Sequence, residues 1–260
     1  MSTRKPWLIV STAVALLGTA WAQDQGRQFH WSGKMSADQV LTIKNVNGDI
    51  DAEAADGSEV TVDAQKNGPD ADQVRIEVVP SAEGVTICAI FPGDSGSCGS
   101  RGGQHHVGQN DAKVHFTAKV PKDVRLDAYN VNGNVSAEGM GRAIRANSVN
   151  GNVRVSTAAW AQAETVNGHI KASMGDAAWS GTLNIQSVNG SIELDMPSDF
   201  SAEVRFTSVN GSIHSDFPLD ITNSWPVGHH ASGKIGSGGR ELALKTVNGS
   251  VEIRKGSGGI

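Results

Sequence analysis

Apolar and polar residues alternate through most of the chain after residue 38, in short runs separated by turn residues. "TLNIQSVNGSIELDMP" is representative: Leu183, Ile185, Ile192 and Leu194 are apolar and their neighbours mostly polar, the period-two signature of β-strands. Similar runs, "EVTVDAQ", "VRIEVVP", "GVTICAIFP" and "KVHFTAKVP", occupy the stretch before residue 122. The pattern predicts an all-β chain of many thin strands.

The turns between the strands are repetitive. "NVNGDI" begins at Asn45, "NVNGNV" at Asn130, "SVNGNV" at Ser148, "TVNGHI" at Thr165, "SVNGSI" at Ser187 and again at Ser208, and "TVNGSV" at Thr246. The phrase is Asn, Ser or Thr, then Val-Asn-Gly, a variable polar residue, and Ile or Val. Its glycines are spaced by 85, 18, 17, 22, 21 and 38 residues, so the four middle intervals define a period near 20. A degenerate eighth copy is read in "HASGKI", His230 to Ile235, where the last interval is about two periods.

Two architectures fit this repeat. Each Asn-Gly could close an antiparallel hairpin within a meander or sandwich. Alternatively each repeat is one coil of a β-solenoid with about 20 residues per coil, and the Val-Asn-Gly corners stack. Parity favours the solenoid: in a two-residue hairpin Val188 would oppose Ser191 on the face away from Ile185 and Ile192, whereas a corner is expected to turn all three apolar residues inward. The structural turn residues are then Asn47, Gly48, Asn132, Gly133, Asn150, Gly151, Asn167, Gly168, Asn189, Gly190, Asn210, Gly211, Asn248 and Gly249. Glycine tolerates positive φ, and stacked Asn amides can bond from rung to rung.

Composition agrees with thin strands: 31 glycines, 38% hydrophobic and only 5% aromatic residues leave few bulky groups for a thick core. The N-terminus has Arg4 and Lys5, an apolar run from Trp7, and Ala20-Trp21-Ala22, the features of a secretory signal peptide over 1–22; an uncleaved anchor is the alternative. Loss of Arg4 and Lys5 takes the net charge from −5 to −7, which argues against nucleic acid as partner. The rest divides into an N-terminal linker (23–37), an irregular β region with a cysteine loop (38–125), the regular repeat (126–255) and a tail (256–260). Cys88 and Cys98 flank a turn-rich loop, and in an exported chain this favours a disulfide over a redox pair.

Leading into the first regular coil, "VHFTAKVPKDVRLDAYNVNGNV" together with the repeated corner phrase and the signal peptide resembles the bacterial β-strand-repeat family of unknown function labelled "putative adhesin", or toast-rack. The resemblance covers roughly residues 38 to 255. It implies a β-solenoid-like envelope protein without established catalysis, periplasmic or extracellular.

Candidate chemistry is sparse. The residue after each corner glycine runs Asp49, Asn134, Asn152, His169, Ser191, Ser212 and Ser250, a small polar row with one acid. Glu193, Asp195, Glu203 and Glu252 fall on exposed strand positions. The pairs His105-His106 and His229-His230 are adjacent on the chain, and neighbours on a strand face opposite ways, so no metal is expected, nor any cofactor or catalytic residue. Trp160 and Trp179 precede strands in successive repeats, either as edge packing or as a sugar platform; with His169 they are the candidate ligand contacts. These features point to an exported, non-enzymatic envelope protein with an adhesin-like binding or structural role, its partner an envelope polysaccharide or another envelope protein. The alternatives are a carbohydrate-active enzyme on a β-helix and an accessory domain of an envelope-stress system.

Overall fold

The computed structural model describes residues 21–93, Cys98, 111–175, 179–223 and 229–256. The signal-peptide segment before Trp21, most of the cysteine loop with His105 and His106, and the tail from residue 257 lie outside them.

The chain opens with an antiparallel hairpin of β1 (Trp21–Gln25) and β2 (Gln28–Lys34). The first corner joins β3 (Val40–Lys44) to β4 (Ile50–Ala55), and β5 (Glu59–Asn67) returns antiparallel to β2. A second hairpin, β6 (Arg75–Ser81) with β7 (Gly84–Ile90), is followed through the cysteine loop by β8 (Lys113–Pro121). Four coils come next: β9 (Arg125–Asn132) and β10 (Val135–Met140), β11 (Ile144–Asn150) and β12 (Val153–Thr157), β13 (Ala161–Asn167) and β14 (Ile170–Met174), β15 (Thr182–Asn189) and β16 (Ile192–Met196). After them stand β17 (Ala202–Asn210) and β18 (Ile213–Ser215), a hairpin of β19 (Asp220–Asn223) and β20 (His229–Ile235), and last β21 (Glu241–Asn248) and β22 (Val251–Lys255).

These strands form two 11-stranded sheets. The two strands flanking a corner never pair with each other: β9, β11, β13, β15, β17 and β21 lie in the second sheet, and β10, β12, β14, β16, β18 and β22 in the first. Each strand pairs in parallel with its equivalent in the neighbouring coil, with the corner residues in register, as in Asn150↔Asn132, Asn150↔Asn167 and Asn167↔Asn189. Parallel strands need a connection through another layer, and here the opposite sheet supplies it. The order of coils is not the order of the sequence. β3/β4 lies between β7/β8 and β9/β10, and β21/β22 between β15/β16 and β17/β18.

The long spacings follow from this order. The 38-residue interval holds the β19–β20 hairpin, and "HASGKI" is no corner: Ala231 and Ser232 stand mid-strand in β20, antiparallel to Phe206 and Arg205. The supposed linker is also corrected. In β2, Phe29 and Trp31 alternate with polar residues and are buried, and apolar alternation of this kind places a strand on a sheet whatever its position in the chain.

Between the sheets the inward rows carry small side chains in the middle coils, Ala128, Ala146 and Ala163, and larger ones toward the end, Ile185, Leu244 and Phe206, all buried. The edge opposite the corners is filled by Met140, Met174, Met196, Trp179 and Phe200. Its turns are longer and irregular, so flexible thioethers and large rings close it.

Candidate functional site

The corners assemble into one continuous edge. Along the stack, Asn132 Nδ2 donates to Asn47 Oδ1, Asn150 to Asn132, Asn167 to Asn150, Asn189 to Asn167, Asn248 to Asn189 and Asn210 to Asn248, all at 2.8–2.9 Å. These amides are exposed. Beneath them lies a second row that seals the interior. Ser148, Thr165, Ser187 and Thr246 donate their hydroxyls to the carbonyl oxygens of Gly133, Gly151, Gly168 and Gly190, at 2.8–3.3 Å. Asn130 Nδ2 does the same to Gly48 at 2.7 Å. Each hydroxyl-bearing side chain is buried, and a buried carbonyl needs such a partner.

A third row comes from the variable residue after glycine. The N–H of Asn134 donates to Asp49 Oδ1, that of Asn152 to Asn134 Oδ1, and that of His169 to Asn152 Oδ1, at 2.7–2.9 Å. The Ser191 N–H donates to His169 Nδ1 at 3.1 Å. His169 is therefore one rung of this row, its Nδ1 an acceptor like the oxygens beside it.

Glycine is required at the corner chiefly because the coils approach so closely. A Cβ on Gly151, Gly168 or Gly190 would lie 1.9–2.0 Å from the carbonyl oxygen of the preceding corner glycine. Positive φ is the lesser reason. Gly48 has φ +107°, but Gly190 at +157° is nearly extended, and Gly151 and Gly168 lie outside the left-handed region.

The motif valine is the main correction to the sequence reading. Val188 does not turn inward with Ile185 and Ile192. Strand alternation continues unbroken to Val188, so Ser187 takes the buried position and Val188 faces out. The same holds in consecutive coils: Val149, Val166, Val188, Val247 and Val209 form an outward row, each 38–41% exposed. At about 4.8 Å per rung the five span roughly 20 Å. At the other end of the row Val46 is buried.

The other candidates are scattered. Trp179 is buried, donates its indole N–H to the Glu241 carbonyl at 3.1 Å and packs against Phe200 with ring centroids 6.2 Å apart. It offers no open platform. Trp160 is half-buried beneath the Arg145 guanidinium, 5.8 Å from the ring centroid. Cys88 and Cys98 form a disulfide, with Cα atoms 5.6 Å apart. Lys44 Nζ donates to the Cys98 carbonyl at 3.2 Å, and burial lowers its pKa.

Several ionisable groups of the outer faces are paired. Glu193 binds both Lys171 and Arg254, and Arg254 also reaches Glu252. His30 Nδ1 is 2.7 Å from Asp63 Oδ1 and His115 Nε2 3.3 Å from Asp51 Oδ2, around a 330 Å³ depression at the N-terminal end of the first sheet. Burial raises the pKa of Asp51, and His115 opposes the shift. Asp127 is raised in the same way, against the opposing pull of Arg145 and Arg125. His230 is exposed, its Nδ1 3.5 Å from Thr207 Oγ1. Among the described residues no group of three or more His, Cys, Asp or Glu side chains is placed to hold a metal, and no helix is long and apolar enough to cross a membrane. Neither the amide row nor the outward valines stand out as a surface in the sequence; the invariance of Val and Asn in all seven copies is the signal that could have found them.

Among known proteins, the solved structures similar to this chain at low identity include two described as adhesion proteins. A "putative cell adhesion protein" from Clostridium sporogenes matches with TM-score 0.46 and 9% identity over 87% of this chain and 98% of its own. A "putative adhesin" from Bacteroides fragilis matches with TM-score 0.33 and 13% identity over 88% of this chain and 98% of its own. No curated protein matches significantly. The family described as Toastrack DUF4097 matches residues 121–254, just over half of the chain and all four middle coils, and the protein belongs to that family.

Proposed function

We propose that this protein is an exported, non-enzymatic β-solenoid domain of the cell envelope that holds an extended partner along its corner edge. The observation that carries the reading is the row of five half-exposed valines beside the exposed amide row. Single exposed apolar residues are ordinary, but a contiguous row costs solubility and marks a contact surface. Its shape suits a linear partner, an envelope polysaccharide or an extended segment of another envelope protein. Apolar contact would come from the valines, and hydrogen bonds from the remaining donor and acceptor capacity of the Asn amides. The disulfide supports an oxidising compartment, and the Ser, Asn and Thr character of the edge supports binding over catalysis.

The test is a glycan array and a cell-wall and envelope-protein pull-down with the mature chain, beside a triple variant Val166→Ser, Val188→Ser, Val247→Ser. A ligand retained by the wild type and lost by the variant, with both melting alike, supports the reading. Equal retention by both chains, or no retention of any envelope fraction, overturns it.

A further inference from the structure

The corner edge contains seven of the chain's eight Asn-Gly pairs; the eighth is Asn67-Gly68, just after β5. Asn-Gly is open to a spontaneous reaction because glycine has no Cβ to obstruct it. The glycine main-chain nitrogen attacks Cγ of the asparagine. An N–Cγ bond forms, the Cγ–Nδ2 bond breaks, and the glycine N–H proton departs with the amide as ammonia. Water then opens the succinimide at one carbonyl or the other, giving isoaspartate or aspartate. No oxidant or reductant takes part.

The attacking nitrogen must be free to swing toward Cγ, and in six corners it is held. Gly48 donates its N–H to the Asn132 carbonyl, Gly133 to Asn150, Gly151 to Asn167, Gly168 to Asn189, Gly190 to Asn248 and Gly249 to Asn210, at 2.9–3.0 Å. Every one of these bonds points the same way along the stack. A row of that polarity must end on a glycine with no acceptor ahead of it, and that residue is Gly211. Among the described residues nothing accepts its N–H, nothing donates to Asn210 Oδ1, and Asn210 is tied only backward, through Nδ2 to Asn248 Oδ1. The strand that follows, β18, has three residues and, among the described residues, pairs on one side only, with β22. Edge segments of this kind open most easily. The opposite terminal rung does not share the weakness, since Gly48 is bonded to Asn132.

We propose that Asn210 is the deamidation site of the repeat and that modification proceeds inward from it in stack order. Conversion removes the donor that Asn210 offers Asn248 and places a carboxylate against Asn248 Oδ1. The isoaspartyl form also lengthens the main chain and draws the residue-210 carbonyl away from the Gly249 N–H. Asn248-Gly249 is therefore the next pair released, although Asn189 is nearer in sequence.

The experiment incubates the full chain in warm, mildly alkaline buffer, folded and in urea, and follows every Asn-Gly pair by peptide mass mapping with isoaspartate methyltransferase labelling. Asn67-Gly68 is an internal reference, because the Gly68 N–H also has no acceptor among the described residues. In the folded chain Asn210 should convert at least about tenfold faster than the other six corners, the ratio set by roughly 1.4 kcal/mol of local opening free energy. In urea the seven corners should converge. An Asn210→Asp variant should speed conversion at Asn248 and leave Asn189 slow. The proposal falls if folded Asn210 reacts no faster than the other corners, if Asn47 or Asn189 precedes it, or if Asn210→Asp leaves Asn248 as slow as Asn189.

Discussion

Replacing Gly168 by alanine adds one methyl group at the most crowded kind of position in the molecule. The new Cβ would lie 2.0 Å from the Gly151 carbonyl oxygen and 2.5 Å from its carbon, both backbone atoms that no side-chain rotation can move. Relief requires the two coils to part locally by about 1 Å, on a strand spacing of about 4.8 Å. The rung between these corners is crossed by Gly151 N–H to Asn167 O at 2.9 Å, Thr165 Oγ1 to Gly151 O at 2.9 Å and Asn167 Nδ2 to Asn150 Oδ1 at 2.8 Å. Weakening two or three such bonds at about 1 kcal/mol each, with about 1–3 kcal/mol of overpacking strain, gives a loss of about 3–6 kcal/mol. Gly57 is the control. Its φ is +92° and a methyl group there would meet no atom within 4 Å, so alanine costs only the left-handed backbone, about 1–2 kcal/mol. Urea unfolding followed by far-UV circular dichroism measures both variants. If Gly168→Ala loses no more stability than Gly57→Ala, close stacking is not what demands glycine at the corners.

Four further outcomes are expected. Thr165→Val should cost about 1–3 kcal/mol in the same urea assay by stranding the partly buried Gly151 carbonyl, whereas Thr165→Ser should be nearly neutral, since serine fills that role at Ser148 and Ser187. Asn167→Ala removes one bond donated to Asn150 and one accepted from Asn189, and should lower stability by about 1–2 kcal/mol without changing the secondary structure seen by circular dichroism. Replacing Cys88 and Cys98 together by alanine should cost about 2–3 kcal/mol for so short a loop; an unchanged melting temperature would count against a stabilising role. Burial raises the pKa of Asp127 in the folded state, so at this group the folded state holds its proton to higher pH than the unfolded one. Its contribution is fully present below the unfolded pKa and is lost as pH rises through the folded one. Asp127→Asn should therefore flatten the fall in stability from acid to neutral pH, read from urea midpoints across that range.

The alternation of apolar and polar residues, the small side chains and seven copies of one phrase at near-constant spacing carried the all-β class and the corner residues in the sequence itself, because period and turn chemistry are local properties of the backbone. The disulfide was legible for the same reason: two cysteines on one turn-rich loop have few other partners. Three features depended on contacts distant in sequence. The outward valines follow from where the bend falls, after Asn189 and not before it, so the hydroxyl of Ser187 enters the interior to meet the Gly168 carbonyl of another coil. Strand β2 hides in an apparent linker because its partner β5 is distant in sequence, 31 residues away at the centre of the pairing, Trp31 against Val62. The stack order 189, 248, 210 at the far end exists only because the last coil, β21 and β22, inserts between β15/β16 and β17/β18. No local preference could reveal it, since every corner is nearly identical and any order would satisfy the same rung-to-rung bonds. That insertion leaves Gly211 as the corner glycine whose N–H meets no acceptor among the described residues.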